Sequence, residues 1–203
     1  MESLFSIFIR SVFIDNMIFA YFLGMCSYLA VSKNVKTAFG LGMAVCFVLI
    51  ITVPVNYLLN KFLLAEGALG WISESFSFIN LSFISLIVFI AVISAIVQLL
   101  EMFIERYSTP LYNSLGIFLP LIAVNCAILG ASLFMQEKNF PSVGNSFVYA
   151  AGSGVGWLLA IVAFAAIRER LRFSEVPKPL EGLGIAYIIT GLMGIGFMSF
   201  LGM

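Results

Sequence analysis

LGMCSYLAV at residues 23–31 and AVNCAILGA at residues 123–131 decide how this chain folds, because each places a cysteine among apolar and small residues at the matching point of a repeated pattern. Two further matches follow in the same order. GLGMAVCFVLI at 40–50 resembles GSGVGWLLAIV at 152–162, and IAVISAIVQ at 90–98 resembles IAYIITGLM at 185–193. Ordered self-similarity of this kind marks an internal duplication. Residues 1–106 and 107–203 are read as its two copies within a single membrane domain, 1–203.

Composition identifies the solvent. Of the 203 residues 62% are apolar and 10% charged, and the mean hydropathy is +1.12. Such a chain is integral to a membrane. Backbone amides in hydrocarbon must pair within the chain, so each run of about 20 apolar residues is one helical crossing. The predicted architecture is an all-α membrane protein of six crossings: a first segment from about Phe8 to Ser32, then 37–60, 75–100, 107–136, 139–167 and 182–203. Three crossings per copy is an odd number. The second copy then enters the membrane in the opposite sense, giving two inverted three-helix repeats and bringing Cys26 and Cys126 toward the midplane from opposite sides. MESLFSIFIRSVFIDNM has no basic segment followed by a small-residue cleavage site, so the first crossing is read as retained. The links at 61–75 and 168–181 are short loops.

Ten basic and ten acidic side chains cancel, which leaves no case for nucleic acid. Their placement still carries information. Loops after the first, third and fifth crossings hold Lys33, Lys36, Arg106, Arg168, Arg170, Arg172 and Lys178, whereas the other side holds Arg10, Lys61 and Lys138. The positive-inside tendency therefore predicts odd-numbered loops in the cytoplasm and both termini outside. IRERLRF at 167–173 is mainly an orientation signal, with docking of anionic lipid heads or a soluble protein partner as a second use.

Asn113, Gly116, Pro120 and Asn125 lie in the fourth apolar run, and Gly24 lies two residues before Cys26. Pro120 would free the acceptor of residue 116, so the first and fourth helices are predicted to be interrupted at the thiols. At membrane depth a break survives where it is buried in protein or lines a cavity. Close packing or a simple kink is the alternative. Cys26 and Cys126 correspond between the copies and are candidate metal ligands; Cys46 faces Leu158 in the alignment and is read as a small hydrophobe. Two thiolates fall short of the four ligands an iron–sulfur cluster takes, so a second protein or copy must supply two more. A Cys26–Cys126 disulfide competes with that reading. With no histidine in the chain, imidazole-ligated haem, His-bound zinc and imidazole triads are excluded. The glycines of GLG at 40–42 and GSGVG at 152–156 have no preceding strand, and are read as small faces that let helices approach.

Glu101, in VQLLEMFIER, sits at the expected cytoplasmic end of the third helix. An acid so near hydrocarbon is costly unless paired, hydrated or used for an ion, and hard cations such as Na⁺ favour its oxygens. A solvated helix end beside Arg106 is the alternative. Asp15, in FIDNM, admits the same two readings at the outer face.

FLGMC at 22–26, AVSKNVKTAFGLG at 30–42, LYNSLGIFLPLIAVNCAILG at 111–130, GSGVGWLLAIVAFAAIRERL at 152–171 and GLMGIGFMSF at 191–200 resemble the family of E-type membrane subunits of the Na⁺-translocating NADH:quinone oxidoreductase. The related membrane component of the Rnf ferredoxin–NAD⁺ oxidoreductase shares LGIFLPLI and AAIRERL, while SGVGW and AVSKNVKTAFGLG favour the quinone-reductase branch. The resemblance implies a six-helix protein of the bacterial inner membrane, paired with a homologous D-type subunit of opposite topology. It implies that Cys26 and Cys126 bind an intramembrane 2Fe–2S cluster with two cysteines of that partner, and that Glu101 takes part in cation uptake. It also implies electron relay toward ubiquinone coupled to Na⁺ export, with NADH, FAD, FMN and riboflavin held on other subunits. A secondary transporter or scaffold with merely packed thiols is the competing class.

Overall fold

The computed structural model describes residues 3–64, 84–107, 119–175 and 177–199. Helix α1, Leu4–Ile9, continues as a π-helical turn over Arg10–Ile14. After a non-helical stretch come α2, Met25–Val31, and α3, Val35–Leu59, which runs on as a π turn over Asn60–Leu64. Then follow α4, Ser85–Tyr107, α5, Leu119–Ala123, and α6, Cys126–Lys138. Last are α7, Val143–Leu171, and α8, Leu183–Met198. Side-chain oxygens fix where several begin. Ser3 accepts from Ser6 N–H at 3.2 Å, Asn34 from Lys36 N–H at 3.0 Å and Ser142 from Asn145 N–H at 3.4 Å, each removing an orphan donor of a first helical turn.

Four stretches are long and apolar enough to cross a membrane: Val35–Leu64, Ser85–Phe103, Pro120–Lys138 and Val143–Leu171. Leu4–Ile14 and Leu183–Met198 are apolar but shorter. The all-helical expectation therefore holds, and of the six expected crossings four are long enough to span among the described residues while the first and last are shorter. The first apolar run is split, since residues 15–24 leave the helix before α2 starts. Helices α4 and α7 reach farther toward their carboxyl ends than the charge-free runs suggested, to Tyr107 and Leu171, because Glu and Arg are good helix formers once past the hydrocarbon. Of the loop expected at 61–75, residues 61–64 instead continue α3 as the π turn, and the rest, with Asn113 and Gly116, lies outside the described residues.

Helices α3 and α7 form the centre, and glycines set their separation. A Cβ on Gly154 would stand 2.8 Å from Cys46 Sγ and 2.9 Å from its Cα, while one on Gly42 would collide with the Leu158 side chain. As α3 advances four residues, from 42 to 46, its contact on α7 retreats four, from 158 to 154. The two helices are therefore antiparallel. In the sequence comparison above Gly42 aligns with Gly154 and Cys46 with Leu158, so in each of the two matched stretches a side chain covers the glycine of the other. Cys46 is thus a packing residue, as read from the sequence. Gly152 and Gly156 occupy the next turns of α7 and press on the first segment: their added Cβ atoms would lie 2.8 Å from Ser11 Cβ and 2.8 Å from Val12 O.

On α4 the buried residues are Ser85, Phe89, Ile93 and Val97, a spacing of four that forms one stripe. Its other faces carry exposed Ile87, Ile90, Leu99 and Phe103, as suits a lipid or partner surface. At the end of the first segment the Asp15 carboxylate pairs with Lys138 of α6 and with Arg10 at 3.4 Å. Lys138 also lies 5.1 Å from the Tyr149 ring centroid, and Tyr57 donates to Phe140 O at 2.9 Å beside it. Asp15 thus ties the first segment to the end of α6 through an ion pair.

Gly154→Leu is expected to cost roughly 1–3 kcal/mol through overpacking against immobile backbone, read as a lower unfolding temperature of the purified membrane complex. Asp15→Asn should cost roughly 1–2 kcal/mol, discounted for the 13% and 30% side-chain exposure of the pair. The double variant Asp15→Asn/Lys138→Met should recover part of that loss in the same measurement, because no unpaired ammonium then remains.

Candidate functional site

Both candidate thiols stand where a helix restarts. Cys26 is the second residue of α2, behind Gly24 with φ of 81°. Cys126 is the first residue of α6, behind Asn125. The break at Cys126 is made by a side-chain cap: Asn125 Oδ1 accepts from Ala127 N–H at 3.0 Å. The break at residues 124–125 comes after Pro120, and residue 116, whose acceptor Pro120 would free, lies outside the described residues.

In the first half the chain turns between residues 15 and 24, anchored by Asn16. Its Oδ1 accepts from the N–H groups of Ile18 at 3.0 Å and Phe19 at 3.4 Å, and its Nδ2 donates to Val12 O at 3.0 Å and to Gly156 O on α7 at 2.9 Å. Phe22 is held at φ 56°, a left-handed conformation that costs a bulky residue roughly 1–2 kcal/mol. Leu23 N–H reaches Met17 O at 2.8 Å, and the Leu23 side chain fills the space over Gly130 of α6.

These turns deliver the two cysteine segments to each other. Gly24 N–H donates to Cys126 Sγ at 2.9 Å. Asn125 Nδ2 donates to Ser27 Oγ at 3.1 Å, and that hydroxyl donates to Gly24 O at 3.1 Å. Any side chain at Gly24 would meet Trp157 Nε1 at 2.7 Å, Asn125 Oδ1 at 2.9 Å and Ala127 Cβ at 3.1 Å. The far end of α2 is held by Arg168 of α7, whose Nη1 donates to Leu29 O and Ser32 Oγ, both at 2.8 Å. Helix α2 is short, but it is fastened at both ends.

Cys26, Cys46 and Cys126 are all free thiols; Cys26 is exposed and Cys126 half-buried. No disulfide joins them. Among the described residues no three His, Cys, Asp or Glu side chains cluster as a metal site, so the chain by itself offers sulfur ligands and not a complete site. Thiolates are soft donors suited to iron–sulfur centres. A two-sulfur edge fits such a centre when a second protein completes it. Phe22 and Val124, each just ahead of a break, are 59% and 73% exposed, which gives this edge an apolar rim. The buried indole Nε1 of Trp157, without a hydrogen-bond partner among the described residues, lies against Gly24 beneath it.

Glu101 continues the Ser85–Phe89–Ile93–Val97 stripe of α4 by one more turn and is half-buried. Among the described residues it forms no ion pair, and Arg106, five positions on, is not its partner. The structure therefore brings the Cys26 and Cys126 segments together and leaves Glu101 on a different helix. Sequence reasoning singled out Asn125 as a source of irregularity but missed Asn16, Ser27 and Arg168 as its supports. Polar residues repeated inside apolar runs were the available signal.

Comparison with known proteins agrees with this architecture. A family model described as "Rnf-Nqr subunit, membrane protein" matches residues 4–203. A relative from Rhodopirellula baltica, named as the E-type subunit of a Na⁺-translocating NADH-quinone reductase, is 54% identical over 99% of this chain and 98% of its own length. Proteins with the same name from Psychrobacter cryohalolentis and Maridesulfovibrio salexigens are 58% and 57% identical, covering 98% and 100% of this chain and 96% and 98% of theirs. The chain belongs to the Rnf–Nqr family of membrane proteins, within its E-type group.

Proposed function

We infer that this chain is the E-type membrane subunit of a Na⁺-translocating NADH–quinone reductase and that Cys26 and Cys126 supply half of the ligands of an intramembrane 2Fe–2S cluster. A homologous D-type subunit supplies the other two thiolates. One observation carries the reading: Gly24 N–H on Cys126 Sγ, at 2.9 Å, draws the turn that bears Cys26 onto the helix start that bears Cys126. Two free thiols from distant parts of the sequence, one exposed and one half-buried, then lie on segments that touch. The antiparallel α3–α7 pair supports two inverted three-helix repeats, since equivalent helices of such repeats run in opposite senses. Exposed Phe22 and Val124 suit contact with the partner.

When bound, a cluster of this kind carries single electrons. The residues around it have separate tasks. Gly24 gives the left-handed turn that lets its amide face sulfur; Asn125 and Ser27 hold that turn against α6; Arg168 fixes α2 from its far end. NADH, FAD, FMN, riboflavin and ubiquinone belong to other subunits of the complex. Glu101, on the packed face of α4 without a protein cation, serves Na⁺ uptake from the cytoplasm, with the protein in the bacterial inner membrane and both termini outside.

In purified complex, Cys26→Ala and Cys126→Ala are each expected to abolish the cluster, measured as lost iron and a lost electron paramagnetic resonance signal. Cys46→Ala should retain both, because that thiol only packs on Gly154. Full cluster content in both of the first two variants would refute the ligand role. Glu101→Gln should raise the Na⁺ concentration for half-maximal quinone reduction by about tenfold, the scale of one lost charge-assisted contact; an unchanged Na⁺ response removes Glu101 from the path.

A further inference from the structure

We propose that Asn125 and Ser27 are positioning residues that set the reduction potential of the metal centre by holding the Gly24 amide against Cys126 Sγ. This rests on the cluster reading above. Its basis is a closed path of short contacts: Asn125 Nδ2 to Ser27 Oγ, 3.1 Å; Ser27 Oγ to Gly24 O, 3.1 Å; Gly24 N–H to Cys126 Sγ, 2.9 Å; and Cys126 adjoins Asn125 through the backbone. The loop links residues about a hundred positions apart and is closed by three side chains, those of Asn125, Ser27 and Cys126.

Burial makes these contacts count. Ser27 and Asn125 are 0% and 1% exposed, so no bulk water competes for their hydrogen bonds. Asn125 has its other capacity engaged as well, since its Oδ1 caps α6 through Ala127 N–H at 3.0 Å. Neither side chain can turn away without leaving a buried polar group unpaired, at a cost of roughly 1–3 kcal/mol. The Gly24 amide is held equally firmly. Its φ of 81° is a conformation open to glycine, and the space where a Cβ would stand is filled by Trp157, Asn125 and Ala127. An amide dipole fixed on a ligand sulfur favours the more negative state of an iron–sulfur centre and raises its potential. Releasing Ser27 or Asn125 lets the amide move off the sulfur and lowers it.

The test is a redox titration of the purified complex, with dithionite as reductant and mediators present, followed by electron paramagnetic resonance, comparing the natural sequence with Ser27→Ala and Asn125→Ala. Ser27→Ala removes a single buried oxygen and keeps the α6 cap, so it is the gentler variant. Iron content near that of the natural complex and a reduction equilibrium constant lowered about tenfold, which is about 59 mV for one electron, is the expected result in Ser27→Ala, with a shift of the same sign in Asn125→Ala. An unchanged potential in both variants, with the cluster retained, overturns the proposal. So does loss of iron from an otherwise assembled Ser27→Ala complex, since the clasp would then be needed to build the site rather than to tune it. If the natural complex itself holds no cluster at these thiols, the cluster reading fails, which is a separate and visible outcome.

Discussion

An amide released by a break in a membrane helix has no water to turn to, and an unmet donor in hydrocarbon costs several kcal/mol. This chain breaks its helices ahead of both cysteines, and everything nearby is arranged around the groups so released. Gly24 N–H goes to the sulfur of Cys126. Asn16 takes two amides of the first turn on its carbonyl oxygen and returns its own N–H₂ to Val12 and Gly156. Asparagine suits both turns because it mimics a peptide group, donor and acceptor together, without the desolvation cost of a carboxylate. The breaks are tolerated only together, since each half satisfies polar groups of the other.

That exchange needs backbones closer than side chains normally allow. Glycines at 152, 154 and 156 let α7 meet the first segment on one side and α3 on another. Asn16 can reach Gly156 O only because no side chain stands on that residue. One residue later Trp157, fully buried, projects under Gly24 and supports the turn that bears Cys26. Small residues in the centre therefore govern where the sulfurs lie, and Arg168 completes the restraint by gripping a carbonyl in the last turn of α2.

The duplicated thiols, the small faces of GLG and GSGVG, and the all-helical membrane class were legible in the sequence, because each leaves a compositional mark that needs no knowledge of partners. Extents were less so. Charge-free runs mark what lipid tolerates, not where a helix stops, so α4 and α7 continue past the expected ends. An interruption of the first run was legible at Gly24, but not its length, since Asp15 and Asn16 already end the helix upstream and the hydrogen bonds of Asn16 hold the turn that follows. Pro120 was the obvious candidate for the second break, but its partner position 116 lies outside the described residues, and the interruption seen at 124–125 is capped by Asn125. Ser27 and Arg168 act across more than 90 residues of sequence, a distance at which a single sequence carries no pairing signal.

The two acids weighed together from the sequence end in different states, and helical geometry explains why. Asp15 leaves its helix and meets Lys138 and Arg10, cations from a later helix and from its own segment. Glu101 stays in regular helix. Arg106 follows it by five residues, which at about 100° per residue places the two side chains roughly 140° apart around α4, too far to pair. Glu101 instead extends the stripe of Ser85, Phe89, Ile93 and Val97 that α4 turns toward the protein. With the cation of its own helix on another side, Glu101 forms no ion pair among the described residues. Asp15 already sits between two fixed cations, so two acids that look alike in the sequence differ in whether the fold supplies their counter-charge.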